Sequence, residues 1–407
     1  MSAMNRRDFL LSAAAATLPA AAWAATAAGG SARLIVVMLR GAVDGLNVVI
    51  PYGDPAYREA RPTIAVAAPG ETDGALDLDG HFALHPALES LMPLWRAKQL
   101  AFVHASGSPD PTRSHFDAQL FIESGTPGRR TTEDGWMNRL LAEMPGPHGP
   151  ADAIAIGPTL PQILKGRIAA ANLPLGPSAK RELPIDRPEV AAAFDKLYTG
   201  EDPISRTYRL GRTARAELRA DMPPEQEMAD GGAPPANSLP AQARRLAYMI
   251  VQDRRIRLAF TALGGWDTHV NQGGAKGQLA NRLRPLGEGI SVLAGGLGGD
   301  WSETVVVVIS EFGRTVHENG NGGTDHGHGN AIWVAGGRVH GGRVYGEWPG
   351  LTPANLYQGR DLAVTTDYRS VLATIASRHL RLADRELQQV FPGLPRGNSS
   401  LEQIVAA

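Results

Sequence analysis

Short apolar runs, separated by glycine-rich polar turns and by amphipathic stretches, set the pattern of this chain. Leu34-Ile35-Val36-Val37-Met38-Leu39 has no polar break. A strand with one wet face alternates, whereas a strand covered on both faces does not, so this run predicts a buried central strand. Similar runs occupy 100–104, 256–261, 304–309 with its four consecutive valines, and 331–335. Residues 151–156 and 166–173 suit short strands. Helical patterning covers 84–98, 114–123, 241–256, 278–297 and 367–378, with helical composition at 204–221 and a Pro/Gly/Ala-rich surface loop at 223–240. Uniformly apolar strands alternating with helices predict an α/β fold: a mostly parallel sheet with helices on both faces. In such folds ligands bind beyond the carboxyl ends of the strands.

Composition narrows the function. With 43% hydrophobic and 20% charged residues the chain is globular, which excludes disordered, collagenous and coiled-coil classes. A net charge of -1 provides no global field for gathering nucleic acid, so no nucleic-acid partner is expected. There is no cysteine, so any metal must be held by His, Asp, Glu or hydroxyl oxygens. The 47 glycines and 30 prolines imply many loops laid over a scaffold.

The first residues read as an address. Arg6-Arg7-Asp8-Phe9-Leu10 precedes an apolar run to Ala22, and Ala22-Trp23-Ala24 supplies a small-x-small cleavage site. This is the pattern of a signal peptide over 1–24, and the arginine pair points to the twin-arginine route. The apolar run is too short to span about 30 Å of hydrocarbon. The expectation is a periplasmic or secreted protein without a stable membrane anchor, handled by the twin-arginine translocase during export. Residues 25–407 then form one domain, with a cap or insertion around 140–245.

Polar groups collect where strands end. Asp44 follows the first strand, and Ser114-His115 follow the second. Asp267 and His269 follow the strand near 260, Glu311 follows the valine strand, and Asp325, His326 and His328 lie in a glycine-rich loop before the strand at 331. In a parallel sheet these groups share one edge. They are hard and borderline ligands suited to a divalent metal: Zn, Mg, Mn or Ca. Crowded carboxylates repel, and a bound dication offsets that repulsion. Plainer roles compete, because an Asp after a strand also caps helices and turns. Arg314 is a candidate oxyanion clamp or a partner for Glu311. Ser114 is a candidate nucleophile, or an ordinary N-cap if it opens a helix. Arg113 and His115 are candidates for assisting the leaving group or binding the anion.

In this order, the twin-arginine leader, Leu39-Arg40-Gly41-Ala42-Val43-Asp44-Gly45-Leu46-Asn47, Arg113-Ser114-His115-Phe116, Gly265-Trp266-Asp267-Thr268-His269, Ser310-Glu311-Phe312-Gly313-Arg314-Thr315 and Asp325-His326-Gly327 resemble the domain of unknown function 1501 family. That family is similar to the alkaline phosphatase and sulfatase superfamily. The resemblance implies an alkaline-phosphatase-like fold with metals at the strand ends. It also implies an exported hydrolase of phosphate or sulfate esters, acting on a small-molecule or polymer substrate. Asp267, His269 and His326 or His328 would form one metal site. Asp44, Glu311 and Ser114 would approach a second, with Asp325 or an extra His filling a missing place. Ser114 would attack phosphorus or sulfur, with Arg113 or Arg314 on the equatorial oxygens. Where the superfamily carries an Asp-His pair this chain has Glu311-Phe312, and Phe cannot bind metal. The alternative is a non-catalytic exported binding protein on the same fold.

Overall fold

The computed structural model describes residues 32–174, 188–200, 202, 205, 208, 230, 232–395 and 401–406. The leader expected at 1–24 and most of the helix expected at 204–221 lie outside the described residues.

Nine strands make one sheet: β1 (Arg33–Leu39), β2 (Leu100–Gly107), β3 (Ala153–Ile156), β4 (Ala171–Leu173), β5 (Leu258–Leu263), β6 (Thr304–Ser310), β7 (Asn330–Gly336), β8 (Arg343–Tyr345) and β9 (Thr366–Asp367). Their order is β8-β2-β7-β6-β1-β5-β3-β4, with β9 beside β2. Buried β1 lies in parallel between β6 and β5, with Val36 opposite both Val307 and Phe260. β5 begins two residues later than its apolar run, because the ladder with β1 starts at Leu258. β3 and β4 fall within the span expected as a cap, yet they extend this sheet.

Period-two alternation sends the side chains of β1 to two separate cores. Ile35, Val37 and Leu39 pack with Leu246, Leu286 and Leu293 from helices α3 (Leu239–Gln252) and α4 (Gln278–Leu297). Leu34, Val36 and Met38 pack on the other face with Trp136 and Leu140 from α2 (Trp136–Glu143) and with Val371 and Ile375 from α5 (Tyr368–Arg378). Helices therefore cover both faces, as the uniformly apolar strands predict. Among the described residues no helix is long and apolar enough to cross a membrane.

β7 is the exception in direction. It runs antiparallel to both neighbours, β6 and β2, while the other strand pairs in the sheet are parallel. The loop before a parallel strand would lie at the opposite edge. The reversal of β7 brings residues 325–328 to the carboxyl ends of β1, β5 and β6. The expected shared edge is present, but one antiparallel strand produces it for that loop.

Two buried imidazoles belong to the scaffold. His104 Nε2 donates to the Val49 carbonyl at 2.8 Å while its Nδ1 accepts from the Ala105 amide. His85 makes the same pair of bonds, to the Gly274 carbonyl and from the Ala87 amide. Burial pushes both pKa values down to about 4, outweighing the hydrogen bonds that favour the charged form. An unfolded imidazole titrates near 6.5, so the unfolded chain binds more protons between those values. Stability from these groups is full above pH 6.5 and is lost as pH falls toward 4. Urea unfolding across that window should show the loss, and His104→Gln should flatten it if the variant folds. A wild-type profile that is level between pH 7 and 4 would contradict this assignment.

Candidate metal centre

The site starts from one buried guanidinium. Arg314, four residues beyond β6, donates to the carbonyls of Gly41, Ala42, Thr324 and Trp266 and to Asp267 Oδ1. Those acceptors belong to the ends of β1 and β5 and to the loop before β7, so a single side chain ties three segments to the end of β6. The β1 turn is shaped for this. Gly41 has φ of 111°, and a Cβ there would stand 2.7 Å from the Asp267 amide nitrogen. Ala42 is also left-handed, with φ of 59°. The Gly41 amide donates to Glu311 Oε1 at 2.8 Å.

Onto this frame the sequence delivers three imidazoles and a carboxylate. Ser114 caps helix α1 (His115–Ser124), which places His115 in its first turn. His269 follows β5 on the same segment as Asp267, and His326 comes from the loop before β7. His326 Nε2 lies 3.0 Å from His115 Nε2 and 3.0 Å from His269 Nε2. Asp267 Oδ1 lies 3.0 Å from His269 Nε2, 3.5 Å from His326 Nε2 and 3.8 Å from His115 Nε2. The ligand atoms of His115, Asp267 and His326 all fall within 4.8 Å of one another. A tetrahedral ion with bonds of about 2.0–2.1 Å has ligand–ligand edges of about 3.3 Å, and the five distances scatter around that length.

The opposite ring nitrogens decide what the centre can hold. His115 Nδ1 faces Glu311 Oε1 at 2.8 Å, His269 Nδ1 faces Asp325 Oδ1 at 3.0 Å, and His326 Nδ1 faces the Arg113 carbonyl at 2.9 Å. Carbonyl and carboxylate oxygens accept, so each Nδ1 carries the proton and each neutral ring turns a lone pair inward from Nε2. Three lone pairs and a carboxylate then meet at one point. Positive charge reconciles them, either a proton on an Nε2 or a bound ion, and the donor set fits a divalent metal.

With no ion bound, the same contacts favour a proton on His115, which a metal would have to displace. Burial alone would lower His115, but hydrogen bonds and charge from Asp267 and Glu311 raise it to about 9. Burial alone would raise Asp267, yet His115, His326 and Arg314 hold it far below the usual carboxylate range. Glu311 is fully buried, which pushes it up, and its His115 partner brings it down. Gln119 and Ser310 also donate to Glu311.

Other expected ligands stand apart from the centre. Both oxygens of Asp44 bond the Arg61 guanidinium, at 2.6 and 3.0 Å, and Gln272 adds a third donor. Its charge is already neutralised in a buried ion pair, which corrects its assignment as a ligand. Glu311 and Asp325 orient imidazoles from behind. His328 stacks on Tyr357 with centroids 4.6 Å apart, which removes it from the choice between His326 and His328. His115, expected beside the leaving group, points into the centre. Arg314, expected as an oxyanion clamp, spends its donors on the scaffold. Phe312 packs with its ring centroid 4.9 Å from that of His115 and 5.1 Å from that of His326. Ser114 is exposed, and its Oγ accepts from the Asp117 amide at 3.5 Å.

One family's sequence pattern matches residues 31–391. The chain belongs to DUF1501, described as a protein of unknown function. No curated protein was found to match it. Three solved structures are similar to this DUF1501 member at low identity. Ps i-CgsB in complex with k-i-k-neocarrahexaose is 8% identical, with 88% of this chain and 74% of that one covered and a TM-score of 0.42. The C-terminal periplasmic domain of EcEptC from Escherichia coli, in complex with Zn, is 10% identical over 76% and 74%, with a TM-score of 0.36. The PsFucS1 sulfatase from Pseudoalteromonas sp. is 13% identical over 92% and 75%, with a TM-score of 0.33.

Removing the Arg314 guanidinium leaves Asp267 without its cation and four carbonyls without a donor. Breaking a buried ion pair from one side costs about 3–5 kcal/mol. Arg314→Met should lose stability on that scale in urea unfolding, and a midpoint equal to wild type would refute its role as the tie.

Proposed function

We propose that this DUF1501 member is an exported, metal-dependent hydrolase of phosphate or sulfate esters that works with one metal. The observation that carries the reading is the convergence of three Nε2 lone pairs on the Asp267 carboxylate, with every Nδ1 proton committed elsewhere. His115, His269, His326 and Asp267 would hold the ion. A set dominated by imidazole suits zinc better than magnesium or calcium. When bound, the ion supplies a Lewis acid for a phosphoryl or sulfuryl oxygen and lowers the pKa of an oxygen nucleophile.

The chain's own groups would do the rest. Glu311, Asp325 and the Arg113 carbonyl keep the imidazoles in their tautomers. Phe312 keeps water from one side of His115 and His326. Ser114 offers an exposed hydroxyl one residue from His115, at a helix N-terminus that favours anions. Its Oγ would form the bond to phosphorus or sulfur and give up its proton. The ester oxygen would leave with the bonding pair and take a proton, and water would then release the acid and restore the serine. Twin-arginine export to the periplasm or beyond, and a small-molecule or polymer ester substrate, complete the proposal.

A specific feature favours the second reading, a non-catalytic binding protein. Phe312 and the Arg61–Asp44 pair fall at positions where the superfamily resemblance implies ligands of a second metal. Elemental analysis and an ester panel separate the two. The hydrolase reading expects about one zinc-like ion per chain, loss of that ion in His326→Ala, and cleavage of aryl phosphates or sulfates. Ser114→Ala should keep the metal and lose turnover by a hundredfold or more. Metal without turnover on any ester supports the binding protein, and wild-type turnover in Ser114→Ala removes the serine from its role.

A further inference from the structure

Beside His326 lies a group of charges that the metal centre does not use. Asp361 is fully buried, yet both its partners reach the surface. Its Oδ2 accepts from Arg113 Nη2 at 2.6 Å and its Oδ1 accepts from Arg360 Nε at 2.9 Å. The two arginine side chains are 33% and 43% exposed. Both arginines also grip His326. The Arg113 carbonyl accepts from His326 Nδ1 at 2.9 Å, and Arg360 Nη2 donates to the His326 carbonyl at 2.5 Å. The Arg360 guanidinium is therefore fixed to the backbone of one residue of the metal centre, and the Arg113 backbone to its ring.

Their donors are not used up. Arg113 Nη2 bonds Asp361 and Gln358, while Arg113 Nε is buried without a partner. Neither Nη1 has a hydrogen bond among the described residues. Asp361 is shared between the two guanidiniums, and Asp325 also feels the charge of Arg360. A buried guanidinium nitrogen left without an acceptor is costly, and a planar fork matches the oxygens of a tetrahedral oxyanion.

We propose that Arg113 and Arg360, clamped by Asp361, form an oxyanion subsite next to His326 that takes the phosphate or sulfate group. The proposal rests on the ester-hydrolase reading for the identity of the anion; of the two arginines expected for that task, Arg113 and Arg314, it keeps Arg113 and adds Arg360. Asp361 is a positioning residue: it sets the angle between the forks and does not touch the anion. Because the Arg360 fork holds the His326 carbonyl, filling the subsite also stiffens one corner of the metal centre. Anion and metal should therefore strengthen each other's binding.

Calorimetric titration of inorganic phosphate, and separately sulfate, into the full chain with and without zinc tests this. Arg360→Gln and Arg113→Gln are suitable variants, because both side chains are partly exposed and the latter keeps the carbonyl under His326. Each should bind phosphate at least tenfold more weakly than wild type while retaining its zinc, and zinc should raise wild-type phosphate affinity. If wild type binds neither anion, or both variants bind like wild type, the subsite is refuted. If zinc fails to bind but phosphate binding still falls in the variants, the metal reading fails and the subsite stands.

Discussion

Everything at the strand edge depends on the Arg314 guanidinium and what it gathers. Strand ends have spare carbonyls, and here four of them point at one cation together with Asp267. A buried charge is tolerable only when its hydrogen-bonding capacity is filled, so the turn after β1, the segment after β5 and the loop before β7 are held to one arrangement. The unusual backbone at Gly41 and Ala42 follows from that demand. A lysine carries its charge at one point and could not satisfy acceptors spread over three segments.

A second consequence concerns Asp267. Arg314 and the three imidazoles all crowd the same oxygen of this carboxylate, Oδ1. The buried Glu311 and the exposed Asp325 then pin two of those imidazoles, and a backbone carbonyl pins the third. Acids and bases alternate outward from the centre, so each layer fixes the proton positions of the layer inside it.

Much of this was legible in the chain and some was not. The unbroken apolar run of β1 and the valines of β6 announced a sheet covered on both faces. Asp267-Thr268-His269 and the Asp325-His326 loop marked two of the segments that meet. The direction of β7 was hidden, because an apolar run looks the same read either way. His115 was noticed but given a different task, since a histidine opening a helix carries no local sign of where its ring will point. Asp44 misled for a related reason: an acid after a strand looks like a ligand until its partner is known, and Arg61 gives no hint in sequence that it will reach back to it. Arg360 and Asp361 follow no predicted strand, so nothing in their local sequence marks them as site residues.

The reversed strand also bears on how the site assembles. Since β6 and β7 are neighbours running in opposite directions, residues 311–329 leave and re-enter the sheet at the same edge without crossing it. Loop-closure entropy grows only with the logarithm of loop length, so this excursion places Glu311, Arg314, Asp325 and His326 together at modest cost. His115, Asp267 and His269 come from distant parts of the chain and depend on contacts of long sequence separation. The centre thus has one half that is local in sequence and one half drawn from distant segments, and the sheet around β1 joins the two.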